Sequence, residues 1–359
     1  MTLSPVFRSE RAVRLLEEHG IWGRLSSAAA QQAEGVQWVA AELGELISER
    51  HLAPPADDRP LTPGDGPLSF MQEYFFLTLF LSLFESLGIS PDRFPFYARL
   101  NFCIKGTITA ADNLFDGQSK SLLPLREVEG ACFGSILQLM CFERLLRRVG
   151  DRAVNDGLFS ATAFAEVQRG LLDRMAEIGL LEGSEEAGVS EIPTPRQMID
   201  HVHRVRGGML FGLAFVAPAI LERGAIGERV AAAEPAIAQL GTAFQIVDDL
   251  TDFEFDLGRR SHNLLVAQIH HHGSDAERAR LARLWEAREA GDGLVEEHFA
   301  DSARTVLELA REEARASFAT LAQLGFWFPP DLADEVVHAI VGIEGVARME
   351  SLTTARGNG

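Results

Sequence analysis

The chain predicts an all-α fold, and three observations carry that prediction. Apolar residues recur at 3.6-residue spacing through most of the 359 residues, few stretches alternate as strands do, and glycines and prolines fall where joints between helices are needed. An apolar share of 47% is ample for a sizeable core, and the length admits one large domain or two ordinary ones.

In chain order, the residues up to Arg50 predict two helices, the second from about Ser27 to Glu49. Ala53 to Pro67 holds prolines at 54, 55, 60, 63 and 67 with Gly64 and Gly66, which forbid a continuous helix and predict a linker or an ordered loop. Leu68 to Leu87 is so rich in Phe and Leu that it should be buried on most sides. Further helices are predicted over about 93–116, 126–148, 160–180, 195–222, 228–256, 276–298, 302–324 and 331–350, with breaks near Gly150, Gly183, Gly188, Gly258 and Pro329-Pro330. No repeat of fixed period stands out. The economical organisation is a helical extension and linker over residues 1–67, then one helical domain over 68–359.

A net charge of −19 argues against nucleic acid and anionic membrane surfaces as partners, because both require a basic patch. An anionic small substrate stays open, since bound divalent ions invert the local field. The chain opens Met1-Thr2-Leu3-Ser4-Pro5 without a charged-then-apolar signal segment, and no uninterrupted apolar run is long enough to span a bilayer. A cytoplasmic protein without an integral membrane segment is therefore expected. Cys103, Cys132 and Cys141 lie in apolar surroundings without metal spacing and are expected as buried free thiols. His270-His271-His272 beside Gly273 fits a solvated helix end better than a metal site, and His201 and His203 face different sides of a helix.

Chemistry concentrates in two acidic clusters, Asp112-Asn113-Leu114-Phe115-Asp116 and Gln245-Ile246-Val247-Asp248-Asp249-Leu250-Thr251-Asp252. On a helix, residues four apart are neighbours, so Asp112 stands over Asp116 and Asp248 over Asp252. Two carboxylates about 6 Å apart repel by roughly 3 kcal/mol at an effective dielectric near 20, so a buried pair needs a cation. Hard oxygen ligands on rigid helices, with room for waters and phosphate oxygens, suit magnesium better than zinc. A solvated acidic face is the alternative for either cluster alone; two clusters with apolar flanks favour a metal. Between them lies Arg204-Val205-Arg206-Gly207-Gly208-Met209-Leu210-Phe211. Tandem glycine in a helix costs roughly 1 kcal/mol per residue against alanine, which calls for close helix packing or for a break beside an arginine that offers a forked donor to phosphate.

Gly241-Thr242-Ala243-Phe244-Gln245-Ile246-Val247-Asp248-Asp249-Leu250-Thr251-Asp252 resembles the second aspartate-rich motif of trans-isoprenyl diphosphate synthases. Phe253-Glu254-Phe255-Asp256-Leu257-Gly258-Arg259-Arg260 resembles its continuation, with arginine where lysine is usual and Asn263 where an aspartate often falls. Asp112 to Asp116 resembles the first motif, with Asn113 at its second acidic position, and Arg206-Gly207-Gly208-Met209-Leu210-Phe211 resembles the Lys-Thr-Gly-x-Leu-Phe stretch between the two. The resemblance covers roughly residues 68–350. It implies the isoprenoid synthase fold, an antiparallel helix bundle around a central apolar cavity, with both motifs at the mouth. It also implies a prenyl diphosphate substrate, Mg2+ as cofactor (three ions with substrate) and a homodimer. The many phenylalanines would serve as cavity wall or as ordinary core.

Chain-elongating relatives carry a Gly-Gly-Lys-x-x-Arg stretch and an arginine pair after the first motif, both for a second, homoallylic diphosphate. This chain reads Gly117-Gln118-Ser119-Lys120-Ser121-Leu122-Leu123 after Asp116, and only Arg59-Pro60 hints at the earlier element. Each charge-assisted contact is worth about 1.5–3 kcal/mol, so the second anion would lack its counter-charges. The expected activity is therefore that of a class I terpene synthase, which ionises one prenyl diphosphate and cyclises or rearranges it. Arg204 followed by Gly207-Gly208 also resembles the diphosphate-sensing arginine and helix break of those enzymes. The alternatives are a chain-elongating trans-prenyltransferase, head-to-head condensation of the squalene/phytoene type, and a non-catalytic regulatory subunit of a prenyltransferase.

By this resemblance Asp112, Asp116, Asp248 and Asp252 are magnesium ligands, with Asp249 as ligand or support. Gln245 orients a ligand or a diphosphate oxygen, Arg204 or Arg206 contacts the diphosphate, Arg259 or Arg260 closes over it, and Lys105, two turns before Asp112, adds charge. Gly207 and Gly208 supply the helix break. Asp248→Ala is expected to abolish turnover of prenyl diphosphates while circular dichroism shows nearly unchanged helix content; retained activity overturns the assignment.

Overall fold

The computed structural model describes residues 17–54, 67–126, 131–287 and 293–327, together with 329, 333, 334, 348 and 352. Among them are twelve helices: α1 (Ile21–Leu46), α2 (Pro67–Ser86), α3 (Phe94–Asp116), α4 (Ala131–Asn155), α5 (Ala161–Ser184), α6 (Pro195–Leu221), α7 (Gly224–Thr251), α8 (Phe253–Arg259), α9 (Leu264–His272), α10 (Asp275–Ala287), α11 (Leu294–His298) and α12 (Ala300–Gln323). No strand occurs among the described residues, whose β pairing is one isolated bridge between Leu52 and Leu125. The expected first helix, most of the Ala53–Pro67 linker and most of the expected helix over 331–350 lie outside them.

Four boundaries differ from the sequence expectation. The joint expected near Gly150 is absent, because α4 runs through it to Asn155 and the glycine serves close packing instead: a Cβ there would stand 1.8 Å from the ring of Phe164. The helix expected over 228–256 breaks at Asp252, whose backbone (φ −96°, ψ 13°) leaves helical geometry and separates α7 from α8. The helix expected over 276–298 is divided, with Gly293 in the left-handed region (φ 76°) just before α11, a conformation open to glycine at no steric cost. Helix α9 was absent from the expectation; Asn263 starts it, its side-chain oxygen accepting from the backbone N–H groups of Leu265 (2.9 Å) and Val266 (3.2 Å). Cys103 and Cys141 are buried as expected, whereas Cys132, one residue into α4, is exposed. The three histidines 270–272 sit at the exposed end of α9.

Backbone contacts group the chain into two compact units, one built around Val13–Leu171 and Ala214–Val230, the other around Leu172–Leu213 and Ala231–Gly359. In the first, α1 packs along α2 and α3, and α3 along α4. Its core is aromatic: the rings of Phe84, Tyr97 and Phe215 meet at 5.3 Å centroid spacing, and each is buried. Full burial of each such side chain contributes about 1.5–3 kcal/mol, so the phenylalanines of α2 and α3 act as core. The buried carboxylate of Glu222 accepts from the Tyr97 hydroxyl (2.6 Å) and from Arg93 (2.5 Å), which satisfies both oxygens.

In the second unit, α6 meets α7 at glycine. Helix α6 starts with a capping box in which Thr194 and Gln197 bond each other's backbone N–H, and then widens to a π-helix over Met198–Met209. A Cβ on Gly207 would stand 2.2 Å from the carbonyl oxygen of Gly241, and one on Gly241 would stand 2.2 Å from that of Gly207. Two backbones thus touch with no side chain between them, which answers the tandem-glycine question in favour of packing. Helices α6 and α7 are long and apolar enough by composition to cross a bilayer, but 61% of the apolar stretch of each is buried within the protein, which is consistent with the expectation of no integral membrane segment. Gly241→Ala is expected to lower unfolding free energy by about 2 kcal/mol or more, since the clash is with backbone. Gly44→Ala, in α1 with open space around it, should raise it by about 0.5–1 kcal/mol. Chemical denaturation of both variants checks the pair.

Candidate active site

The second acidic motif closes α7, and its three aspartates have three different environments. Asp249 is buried (1% exposed) and fully engaged at one oxygen: Oδ2 accepts from the backbone N–H of Leu264 (2.5 Å) and lies 2.8 Å from Nε2 of His203, itself wholly buried on the π-helical part of α6. Asp248 is half-buried one position earlier, where Gln245 Nε2 donates to its Oδ2 at 3.2 Å. Asp252 is exposed at the break and keeps two backbone bonds of helical spacing, its N–H donating to the Asp248 carbonyl at 2.8 Å and its carbonyl accepting from the Asp256 N–H at 2.9 Å. Burial first, then Asp252 and Asp249, push the Asp248 carboxyl up to about 8 against the opposing effects of Arg206 and Gln245. Burial and Asp249 likewise hold Asp256 well above the usual carboxylate range, although Asn263 Nδ2 donates to it at 2.9 Å. Full ionisation of the cluster would therefore place more negative charge there than its own cations offset.

Beside it runs a second network. Arg206 donates to Glu182 (2.5 Å) and Glu185 (2.8 Å), and Glu185 also accepts from the backbone N–H of His262 (2.9 Å) and lies 2.5 Å from its Nδ1. Burial opposes charge on Glu185, but His262 and Arg206 outweigh it and hold this carboxyl below its usual range. Burial also opposes charge on Arg206, and Glu182, Glu185 and Asp249 together raise its pKa. Arg206 therefore faces carboxylates. Arg204 is exposed and pairs with Asp200 (3.3 Å), Arg259 lies over the ring of Phe255 (5.1 Å), and Arg260 donates twice to the Trp285 carbonyl (2.8 and 3.1 Å) from a left-handed backbone (φ 58°).

The first motif lies in the other unit, at the end of α3. Asn113 is buried and bonds Lys120 twice, Nδ2 to the carbonyl (2.7 Å) and Oδ1 from the N–H (3.1 Å), while Gly117 ends the helix in the left-handed region (φ 65°). An aspartate at 113 has no donor for that carbonyl, which explains the asparagine. Asp112 and Asp116 are exposed on this helix. Lys105 is half-buried two turns earlier, and burial lowers its pKa, with Glu73 opposing.

Among the described residues, no group of three or more His, Cys, Asp or Glu side chains is placed to hold a metal ion. Recesses of about 300 Å3 beside Arg99 and Arg152, and about 380 Å3 beside Arg304 and Glu308, are lined by residues outside both motifs.

No protein-family model and no curated protein matches the sequence. Solved structures do. A decaprenyl diphosphate synthase from Rhodobacter capsulatus is 19% identical over 92% of this chain and 99% of its own, with a TM-score of 0.54. A polyprenyl synthase from Caulobacter crescentus CB15, solved with calcium and isoprenyl diphosphate, is 15% identical over 92% and 97%, with a TM-score of 0.57. A polyprenyl synthetase from Streptomyces coelicolor A3(2) is 17% identical over 88% and 98%, with a TM-score of 0.54. The chain has the isoprenoid synthase fold. At these identities the likeness is one of fold.

Glu182, Glu185 and His262 were not singled out from the sequence, and His203 was considered only with His201, as a metal pair that helical geometry disfavours. The one legible signal nearby was Asn263 before an apolar run, the pattern of a helix cap. The pairing of His203 with Asp249 joins positions 46 apart and carries no local spacing signature.

The raised Asp248 carboxyl sets a pH dependence. The folded chain holds a proton that the unfolded chain, with its ordinary value of 3.8, has released, so this contribution is complete below about pH 4 and is lost as pH rises to about 8. Metal-free melting temperature should therefore fall more steeply between pH 5 and 8 for the natural chain than for Asp248→Asn. Thermal melts of the two proteins check this, and parallel profiles contradict it.

Proposed function

We propose that this chain is a magnesium-dependent enzyme acting on prenyl diphosphates. The observation that carries the proposal is the end of α7, where Asp248 and Asp252 are presented above an Asp249 pinned by His203 and the Leu264 N–H, on a fold shared with prenyl diphosphate synthases. Asp248 and Asp252, and Asp112 and Asp116 on α3, are the proposed ligands. Asp249 positions them. The donor set fits the metal: carboxylate oxygens in excess charge, with Gln245 as a neutral neighbour. Bound divalent ions neutralise charge developing on a leaving diphosphate. The protein's own residues hold the carboxylates in place and keep water from the allylic cation. Arg206 enters as an organiser of the α5–α6 carboxylates, and a cytoplasmic homodimer is part of the proposal.

Within this class, chain elongation has the support of the fold neighbours, whose names are those of synthases of prenyl chains. In elongation the C–O bond of the allylic diphosphate breaks with the electron pair leaving on diphosphate. The homoallylic double bond then attacks the cation, a C–C bond forms and a proton is lost. A second reading, cyclisation or rearrangement of a single substrate, has a specific observation in its favour. Residues 117–123 hold one lysine and no arginine, and Arg93, at the entry to α3, is bound by Glu222. The purified chain with Mg2+ and single prenyl diphosphates, with and without isopentenyl diphosphate, decides between them by chromatography of the products. A longer diphosphate formed only with both substrates supports elongation; a hydrocarbon or alcohol from one supports cyclisation. No turnover under any combination overturns the proposal and points to a non-catalytic subunit.

A further inference from the structure

The break at Asp252 is held by a side chain far away in sequence. Arg348, 98 positions from Leu250, places Nη1 at 2.6 Å from the Leu250 carbonyl and 3.4 Å from the Thr251 carbonyl, the last two residues of α7. The same guanidinium bonds Glu254 on α8 with both forks, Nη1 to Oε2 at 3.0 Å and Nη2 to Oε1 at 2.8 Å. Its remaining edge meets Glu296 on α11, Nε to Oε1 at 2.8 Å and Nη2 to Oε2 at 3.4 Å. Glu254 Oε1 accepts in addition from the Leu294 N–H at 3.1 Å. The Arg348 side chain is 12% exposed and Glu254 14%, so the cluster is largely withdrawn from water.

Helix ends leave carbonyls without partners in the helix, and a cation there also opposes the negative end of the helix dipole. A planar guanidinium reaches two carbonyls and two carboxylates at once, which a lysine ammonium cannot do from one nitrogen. Asp252 stands between the carbonyls Arg348 holds on one side and the Glu254 it holds on the other. We propose that Arg348 is a positioning residue that sets the angle between α7 and α8 and so presents Asp252 for metal–diphosphate binding. The inference rests on Asp252 being a ligand, as proposed above.

The test is titration of the full chain with Mg2+ at fixed inorganic diphosphate, followed by calorimetry well below the melting temperature and, separately, by thermal shift. Arg348→Met is expected to raise the Mg2+ concentration for half-saturation at least fivefold, and Arg348→Lys by a smaller factor. In prenyl diphosphate turnover the KM for Mg2+ should rise more than kcat falls. Arg315→Met removes an exposed arginine paired with Glu308 and Asp334 and should leave the half-saturation point unchanged. A folded Arg348→Met with a point within twofold of the natural chain overturns the inference. If that variant does not fold, the same twofold criterion applies to Arg348→Lys. No Mg2+-dependent binding by the natural chain removes the metal reading itself and the inference with it; binding by the natural chain that Arg348 variants retain removes only the inference.

Discussion

A buried carboxylate needs donors, and Asp249 obtains two from elements that are remote in sequence: the imidazole of His203 on α6 and the first N–H of α9. Charge-assisted hydrogen bonds of this kind contribute about 1.5–3 kcal/mol each, and removing the partner of a buried charge costs more than the bond itself. The bond ties three helices to one point. Asn263 reinforces it by donating to the Asp249 carbonyl (2.7 Å) while capping α9 with its oxygen. Asp248 and Asp252 flank that point and take their placement from it.

The local charge balance follows from the same constraint. Burial first, and then the neighbouring Asp249 and Asp252, raise the cost of ionising both Asp248 and Asp256, and Arg206 alone does not restore neutrality because Glu182 and Glu185 engage it. That imbalance underlies the proposed binding of divalent cations. With a net charge of −19 the chain has no overall basic excess, so the proposed binding of a diphosphate depends on bound cations rather than on a basic surface.

Packing makes the arrangement possible. The π-helical turns of α6 carry His203 to Asp249, and four positions later Gly207 lets α6 lie against Gly241 of α7 with no side chain between. A wide helix with glycine contacts is costly by propensity alone. Its persistence here is explained by what it joins: the histidine that holds the motif and the helix that bears it.

Much of this was legible in the residues. Apolar spacing marked the long helices such as α3 and α7, the density of Phe and Leu marked α2, and the i, i+4 aspartates announced themselves because helical spacing makes neighbours of them. The motif pattern pointed to the isoprenoid synthase fold. Short α8 and α9 escaped because nine residues or fewer hold too few turns to show a period, and the break at Asp252 escaped because no glycine or proline marks it. The sequence by itself determined the helical class and the candidate carboxylates, since these depend on local spacing, and it implied the fold through the resemblance of its motifs to a known family. Only the tertiary structure decided that Asp249 is pinned by His203, that Arg206 serves Glu182 and Glu185, and that Arg348 holds the end of α7, because hydrogen bonds between residues 21 to 98 positions apart exist only once the chain has folded.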